Sequence, residues 1–313
     1  MRIYFIGDMR AHFIQQDVEM LQNDYQIQIF DLSQHATSFR QIPHYLTASI
    51  REILQVRAAD LVWIWGADYW AVPFILFAKL FRKPVLVSVL GYEVCGIRDT
   101  QYGIGIVYGN QLSIIRGAVS RWVIRSATVA ITMSEAYRKI VRELLPGMEV
   151  IVIPGCIDET LCDQPLPDKS GVVTATCLNT NDELKGIHIF KGAARFIPGM
   201  KVIRNIPHEE LMQEFRKAKV YCQLSLTESF GMSLLEAMAC GCVPVVTDRD
   251  ALPEVTGGHG FVIPYGDVYK TIKAIQVALL CDGTQAKERA RMFTRDNRKE
   301  QINRLIGVCC DNR

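Results

Sequence analysis

The sequence has almost no net charge. Its 313 residues carry 35 Lys and Arg against 33 Asp and Glu, a formal +2. Both halves of the chain are similarly balanced. Neither offers the Lys/Arg stripe that displaces counterions from a nucleic-acid backbone, so no nucleic-acid partner is expected. Ten cysteines are present, but no pair has C-x2-C spacing, which argues against a zinc ribbon. Cys177 and Cys222 lie in apolar runs and read as small core residues. A leader pattern is also missing: Arg2 runs directly into strand-like sequence, without an apolar stretch and cleavage site. The compartment this implies is a reducing cytoplasm. Long apolar runs are absent too. The nearest, residues 61–81, is interrupted by Gly66, Asp68, Pro73 and Lys79, whereas a membrane span needs roughly 20 apolar residues. It reads as a buried strand, a turn and an aromatic-rich helix, with Trp63, Trp65, Tyr69, Trp70, Phe74 and Phe77 as core.

What is present is material for a core. Apolar residues make up 49% and charged residues 22%, which excludes a disordered chain, and the length suits two domains. Short β-rich runs alternate with helical patterns throughout. Strands are predicted at 2–6, 26–31, 61–65, 85–90, 128–132 and 150–153, with helices at 12–22, 43–57, 70–82, 111–126 and 134–145. A stretch rich in proline and acidic residues follows, and the alternation then restarts with strands at 172–178, 201–205, 219–224, 243–247 and 260–263. Apolar strands separated by helices mean parallel sheets covered on both faces. The expected architecture is therefore α/β, with two Rossmann-like doubly wound domains: 1–155, a linker at 156–171, and 172–283. A charged C-terminal helix within 284–313 is expected to return toward the first domain. Ligands of such sheets bind at the carboxyl ends of the strands, and a cleft between the domains is the expected site.

The most informative segment is 219–258, KVYCQLSLTESFGMSLLEAMACGCVPVVTDRDALPEVTGG. A strand ends near Ser225, and a polar turn, Thr227-Glu228-Ser229, follows. Phe230-Gly231 then allows close backbone approach to a ligand. A helix from about Met232 to Ala239 points its free N–H groups back at the turn, which suits a phosphate. Glu228 before the helix and Glu236 within it are placed to accept hydrogen bonds from neutral hydroxyls, as in sugar recognition.

This segment resembles the signature of glycosyltransferase family 4, retaining nucleotide-sugar transferases of the GT-B fold. The pattern is E-x(7)-E, Glu228 to Glu236, embedded in ESFGMSLLEAMACGCVPVV. The downstream TDRDALPE and the GFVIPYGD at 260–267 also match, and PGCID at 154–158 sits where the family has N-G-x-D. The resemblance implies GT-B architecture and transfer of a glycosyl group, with retention, from a nucleoside-diphosphate sugar to an acceptor; no cofactor or metal is needed. It implies that Glu228 holds hydroxyls of the donor sugar and that Glu236 holds the ribose. Ser229, Phe230, Gly231, Met232 and Ser233 would hold sugar and diphosphate. Lys185-Gly186, in NDELKG, matches a K-G motif whose lysine binds the diphosphate, making Lys185 and Glu228 the catalytic candidates. The family's Arg six residues earlier is replaced here by Asn179, with Thr180 next, and Arg204 is a candidate substitute. On the acceptor side, Arg10 and His12 in the loop GDMRAHF, and Gly91 and Glu93 after strand 85–90, are expected to contribute.

Other patterns have competing readings. Asp248-Arg249-Asp250 is literally D-x-D, a metal motif of the other large transferase fold, but it follows a strand inside the second domain. Gly103 to Gly109 is one residue too long for a dinucleotide fingerprint. His12 and His208 are candidate bases. Arg116, Arg121, Trp122 and Arg125 on one helix read either as a solvated face or as a contact with anionic lipid, at the inner face of a membrane. Two rivals to glycosyl transfer remain open: a GT-B protein that cleaves or epimerises nucleotide sugars, and a non-catalytic sugar-nucleotide binder.

Overall fold

The computed structural model describes residues 1–34, 52–94, 111–165, 167–176 and 182–311. Part of the helix expected at 43–57, Cys177, Asn179, Thr180 and the glycines from 103 to 109 lie outside these residues. The chain divides into two compact units: residues 1–153 with 298–313, and residues 154–297.

Unit 1 is a parallel α/β layer structure. Its elements are β1 (Arg2–Gly7), α1 (His12–Leu21), β2 (Gln26–Asp31), α2 (52–58), β3 (Leu61–Trp65), α3 (Val72–Leu80), β4 (Val85–Ser88), α4 (Gln111–Ser126), β5 (Val129–Thr132), α5 (Glu135–Leu144) and β6 (Val150–Val152). Among the described residues the sheet has six strands in the order β2-β1-β3-β4-β5-β6, all paired in parallel. The pleat explains the uninterrupted apolar β3. Val62 and Ile64 enter one core with Tyr4 and Ile6, while Leu61, Trp63 and Trp65 enter the other with Ile3 and Phe5. The second core also takes Ile302, Leu305 and Ile306 from the C-terminal helix. Within this unit Arg298, 4% exposed, makes a bidentate pair with the buried Asp17 at 2.7 and 2.8 Å.

Unit 2 contains α6 (Thr160–Asp163), β7 (Val172–Thr176), α7 (Ile187–Ala194), β8 (Met200–Arg204), α8 (His208–Lys217), β9 (Val220–Gln223), α9 (Met232–Ala239), β10 (Val243–Thr247), α10 (Leu252–Thr256), β11 (Phe261–Ile263), α11 (Val268–Ala278) and α12 (Thr284–Ala290). Among the described residues its sheet has five strands, parallel, in the order β11-β10-β9-β7-β8. The order reverses between β7 and β9, the point where open α/β sheets leave a crevice at their carboxyl ends.

Two segments differ in detail from the sequence expectation. Residues 154–171 pack as part of unit 2: Cys156, Ile157 and Cys162 are buried, and the Lys169 ammonium donates to the carbonyls of Phe215, Arg216 and Cys240. The single charged helix expected within 284–313 is two helices, α12 and α13 (Arg295–Asp311). The chain breaks between them because Phe293 stacks edge-on against Phe230, its carbonyl accepts from Ile157 N, and Thr294 pairs with Ile157. Among the described residues no helix is long and apolar enough to cross a membrane.

Candidate functional site

Unit 2 gathers polar groups at its switch point. The loop after β7 brings Lys185 and Gly186, and the loop after β9 brings Glu228 to Gly231. The two loops are tied by Leu226 N donating to Leu184 O at 2.8 Å. Gly186 heads α7 with φ of +63°, and a Cβ there would fall 1.9 Å from Leu224 O, so no side chain fits between the loops.

The Lys185 ammonium donates to Glu228 Oε2 at 2.7 Å. Gln223 Nε2 donates to the same oxygen at 2.8 Å, and Ser225 Oγ lies 3.5 Å from it. Gln223 is itself steadied by Tyr221, whose hydroxyl donates to Gln223 Oε1 at 2.9 Å. Among the described residues no donor reaches Glu228 Oε1. One carboxylate oxygen is thus fixed by protein and the other is presented. Asp250 sets the turn: its Oδ2 accepts from Glu228 N at 3.1 Å and from the Thr227 hydroxyl. Burial pushes the Asp250 carboxyl up, against these bonds, which pull it down. Asp250 also holds a left-handed φ of +45°.

Glu228 is followed by the head of α9. Gly231, φ +95°, sits at its N-cap, and no side chain caps the helix. Gly155 lies against this corner: a Cβ there would clash with Met232 Sδ at 2.6 Å and with the Phe230 ring at 2.7 Å. One turn into α9, the mostly buried Glu236 gives Oε1 to His208 Nε2 at 2.9 Å, and among the described residues Oε2 has no protein donor. That bond holds the His208 imidazole above its ordinary pKa, against the effect of burial.

The structure thus brings Lys185, Gly186, Glu228, Ser229, Phe230, Gly231, Met232, Ser233 and Glu236 to one sheet end. Sequence reasoning missed Gln223 and the coupling of His208 to Glu236. Gln223 had a signal, as the one polar residue of the otherwise apolar strand β9; the His208 coupling had none. Arg204 Nη2 donates to both Asp182 oxygens, at 2.7 and 2.8 Å, so its charge is already matched. In the D-x-D stretch, Asp248 Oδ1 accepts from Tyr265 N at 3.2 Å, while Asp250 serves the turn.

The unit 1 candidates behave differently. Arg10, on the loop after β1, pairs with Asp8 through its guanidinium. His12 is the first residue of α1. Gly91 turns the chain after β4 with φ of +114°. Glu93, expected on the acceptor side, has its carboxylate turned inward. It is 1% exposed, with Oε1 taken by Ala67 N and Leu90 N at 3.0 and 3.3 Å and Oε2 by Gly91 N at 2.8 Å. These bonds also turn the chain soon after Ser88, where β4 ends. Burial pushes the Glu93 carboxyl up to about 7.

Known proteins share the fold and, over part of the chain, a family profile. The profile of the family described as "Glycosyl transferases group 1" matches residues 193–300, which include both glutamates; Lys185 lies upstream. O-antigen chain mannosyltransferase B of Escherichia coli is 38% identical over 63 residues, 20% of this chain and 16% of that protein. The phosphatidylinositol N-acetylglucosaminyltransferase GPI3 subunit of Saccharomyces cerevisiae is 34% identical over 56 residues, 18% of this chain and 12% of that protein. These matches span under a fifth of either relative. Sucrose-phosphate synthase from Thermosynechococcus elongatus superposes with a TM-score of 0.77, covering 100% of both chains at 15% identity. Anabaena HepE in complex with UDP and glucose gives 0.74, covering 98% and 99% at 15% identity. The fold is GT-B, two parallel-sheet α/β domains, and residues 193–300 match the group 1 glycosyl transferase profile.

Proposed function

We propose that this protein is a retaining glycosyltransferase of family 4 that moves a sugar from a nucleoside-diphosphate sugar to an acceptor. The observation that carries the reading is the meeting of Lys185 with Glu228 at the β7/β9 switch point, beside the uncapped N-terminus of α9. The donor lies over that helix end, its diphosphate on the amides of Phe230 to Ser233. Lys185 has three N–H donors and so can hold Glu228 and a phosphate oxygen together. Glu228 Oε1 takes hydroxyls of the transferred sugar, and Glu236 Oε2 takes those of the ribose. The bond between anomeric carbon and diphosphate oxygen breaks, and the acceptor oxygen bonds to that carbon on the same face. The acceptor proton passes to the departing diphosphate. Lys185 and the helix end stabilise the negative charge that grows on the leaving group.

This reading needs no metal, because the charge is met by a lysine and a helix end while Asp250 is committed to the turn. The acceptor is assigned to unit 1, with Arg10 and His12 at the carboxyl end of β1. HepE, a neighbour of the same fold, binds UDP and UDP-glucose, so UDP-sugars head the test. A thermal-shift panel of UDP-, GDP- and ADP-sugars should give one donor class that adds about 2.7 kcal/mol of apparent stability at 100 times its Kd. Turnover of that donor, labelled in the sugar, should require an acceptor and persist in EDTA. Binding without turnover across an acceptor panel would refute the transferase reading, as would turnover without acceptor. Activity lost in EDTA and restored by Mg²⁺ or Mn²⁺ would refute the metal-free one.

A further inference from the structure

Two adjoining helices of unit 1 expose apolar and cationic side chains outside the unit 2 site. On α3, Leu76, Lys79 and Leu80 are exposed and follow helical spacing, with Arg82 exposed just beyond. On α4, Ile115, Ala118, Trp122 and Arg125 are exposed at the same kind of spacing. The two stripes adjoin: Lys79 Nζ donates to Ser126 Oγ at 2.9 Å and sits 5.3 Å from the Trp122 ring centroid. Leu80 is 68% exposed and Leu76, one turn before it, 51%, values a lone surface side chain tolerates but two adjacent large ones seldom share; Ile115, 57% exposed, lies toward the start of α3, next to the Arg116 that binds Asp68.

The charge along α3, α4 and the segments that flank them has one sign. No Asp or Glu occurs between Tyr69 and Tyr92 or between Gln111 and Ser134, while Lys79, Arg82, Lys83, Arg121 and Arg125 all fall there. Arg116 is not one of these surface cations, because it is bound to the buried Asp68. Apolar side chains framed by cations, with no carboxylate among them, complement a surface that is anionic outside and apolar a few ångströms beneath. A protein partner of mixed charge would leave five cations mostly unmatched.

We propose that the α3/α4 face of unit 1 docks on an anionic lipid bilayer, with Leu76, Leu80, Ile115 and Trp122 entering the headgroup region. The inference is independent of the catalytic reading, since none of these residues belongs to the unit 2 site.

The test is flotation with phosphatidylglycerol-containing and with pure phosphatidylcholine vesicles. The protein should float with the first only, and release when salt rises from about 0.1 to 1 M shortens the Debye length from about 10 to 3 Å. Tryptophan gives a second readout. Of the four tryptophans, Trp63, Trp65 and Trp70 are buried and Trp122 is exposed, so quenching by bromolipids in the anionic vesicles reports Trp122. Lys79→Glu and Arg125→Glu should each weaken binding about fivefold or more. Leu80→Ser should abolish quenching, and all three variants should keep the wild-type melting temperature and donor turnover, because the side chains are exposed. Equal binding to neutral vesicles, no quenching, or binding indifferent to these variants would overturn the proposal. So would a dimer on gel filtration that Leu80→Ser dissociates, which would mean that a second copy covers the face.

Discussion

The two units treat buried carboxylates in opposite ways. In unit 1, Asp17, Asp68 and Glu93 have a donor on each oxygen: Arg298 serves both oxygens of Asp17, Arg116 and Tyr69 N serve Asp68, and three backbone N–H groups serve Glu93. In unit 2, the half-buried Glu228 and the buried Glu236 each have one oxygen fixed and, among the described residues, one left without a protein donor. A saturated carboxylate holds a fold together, whereas a half-satisfied one has capacity for a ligand. The distinction is energetic, because an unpaired buried acceptor costs about 1–3 kcal/mol, more if charged, unless solvent or ligand meets it.

That comparison can be broken most severely at its most saturated member. Arg298→Ala leaves Asp17 buried and unpaired, so it should cost about 3–5 kcal/mol in denaturant unfolding. Replacing both partners, as Asp17→Leu with Arg298→Met, should recover most of the loss. If Arg298→Ala is near neutral, the pair is not structural.

In unit 2 the loss should appear in rate instead. Lys185→Ala should lower kcat by roughly 10²–10³, about 2.7–4 kcal/mol in transition-state stabilisation, with little change in unfolding free energy. Lys185→Arg should restore only part, since the planar guanidinium does not replace a compact ammonium. A mutant with near wild-type kcat and raised KM would show that the lysine only binds donor. Glu236→Ala should weaken donor binding by roughly 10- to 100-fold by calorimetry, since hydrogen bonds to a charged acceptor are worth about 1.5–3 kcal/mol. Unchanged affinity would remove the ribose assignment.

The remaining effect is a slope. Glu93 has a folded pKa of about 7, above its ordinary 4.5. Between those values the native state binds more protons than the unfolded chain, so this group's contribution is fully present at low pH and falls as pH rises from about 4.5 to 7. The slope should approach about 1.4 kcal/mol per pH unit at most. Glu93→Gln should flatten the stability profile in that window, and an unchanged profile would mean that the carboxylate is not buried as described.

Much of this was legible in the residues because it is local. The strands 26–31, 61–65 and 243–247 and the helix 111–126 fall where periodicity puts them. The turn and helix from Glu228 to Glu236 lie in one short segment, whose spacing alone puts a carboxylate on either side of the helix start. Where the reading fell short, a distant partner decided the outcome. Glu93 looked like a loop acid, but the backbone of residues 67, 90 and 91 closes around it. Arg116 looked like surface charge until Asp68, on another element, claimed it. The single helix expected within 284–313 is broken by contacts with Phe230 and Ile157.

The sequence by itself determined the alternation of strand and helix, the two α/β units and the E-x(7)-E turn, because each depends on periodicity or on neighbours a few residues away. Only the tertiary structure decided that β7 lies beside β9. Strand order is a matter of long-range hydrogen bonding that no local pattern encodes. That adjacency joins Lys185 to Glu228 across 43 positions in the chain. The same kind of long-range packing joins His208 to Glu236 and Asp17 to Arg298, and sets the exposed stripe of α3 alongside that of α4.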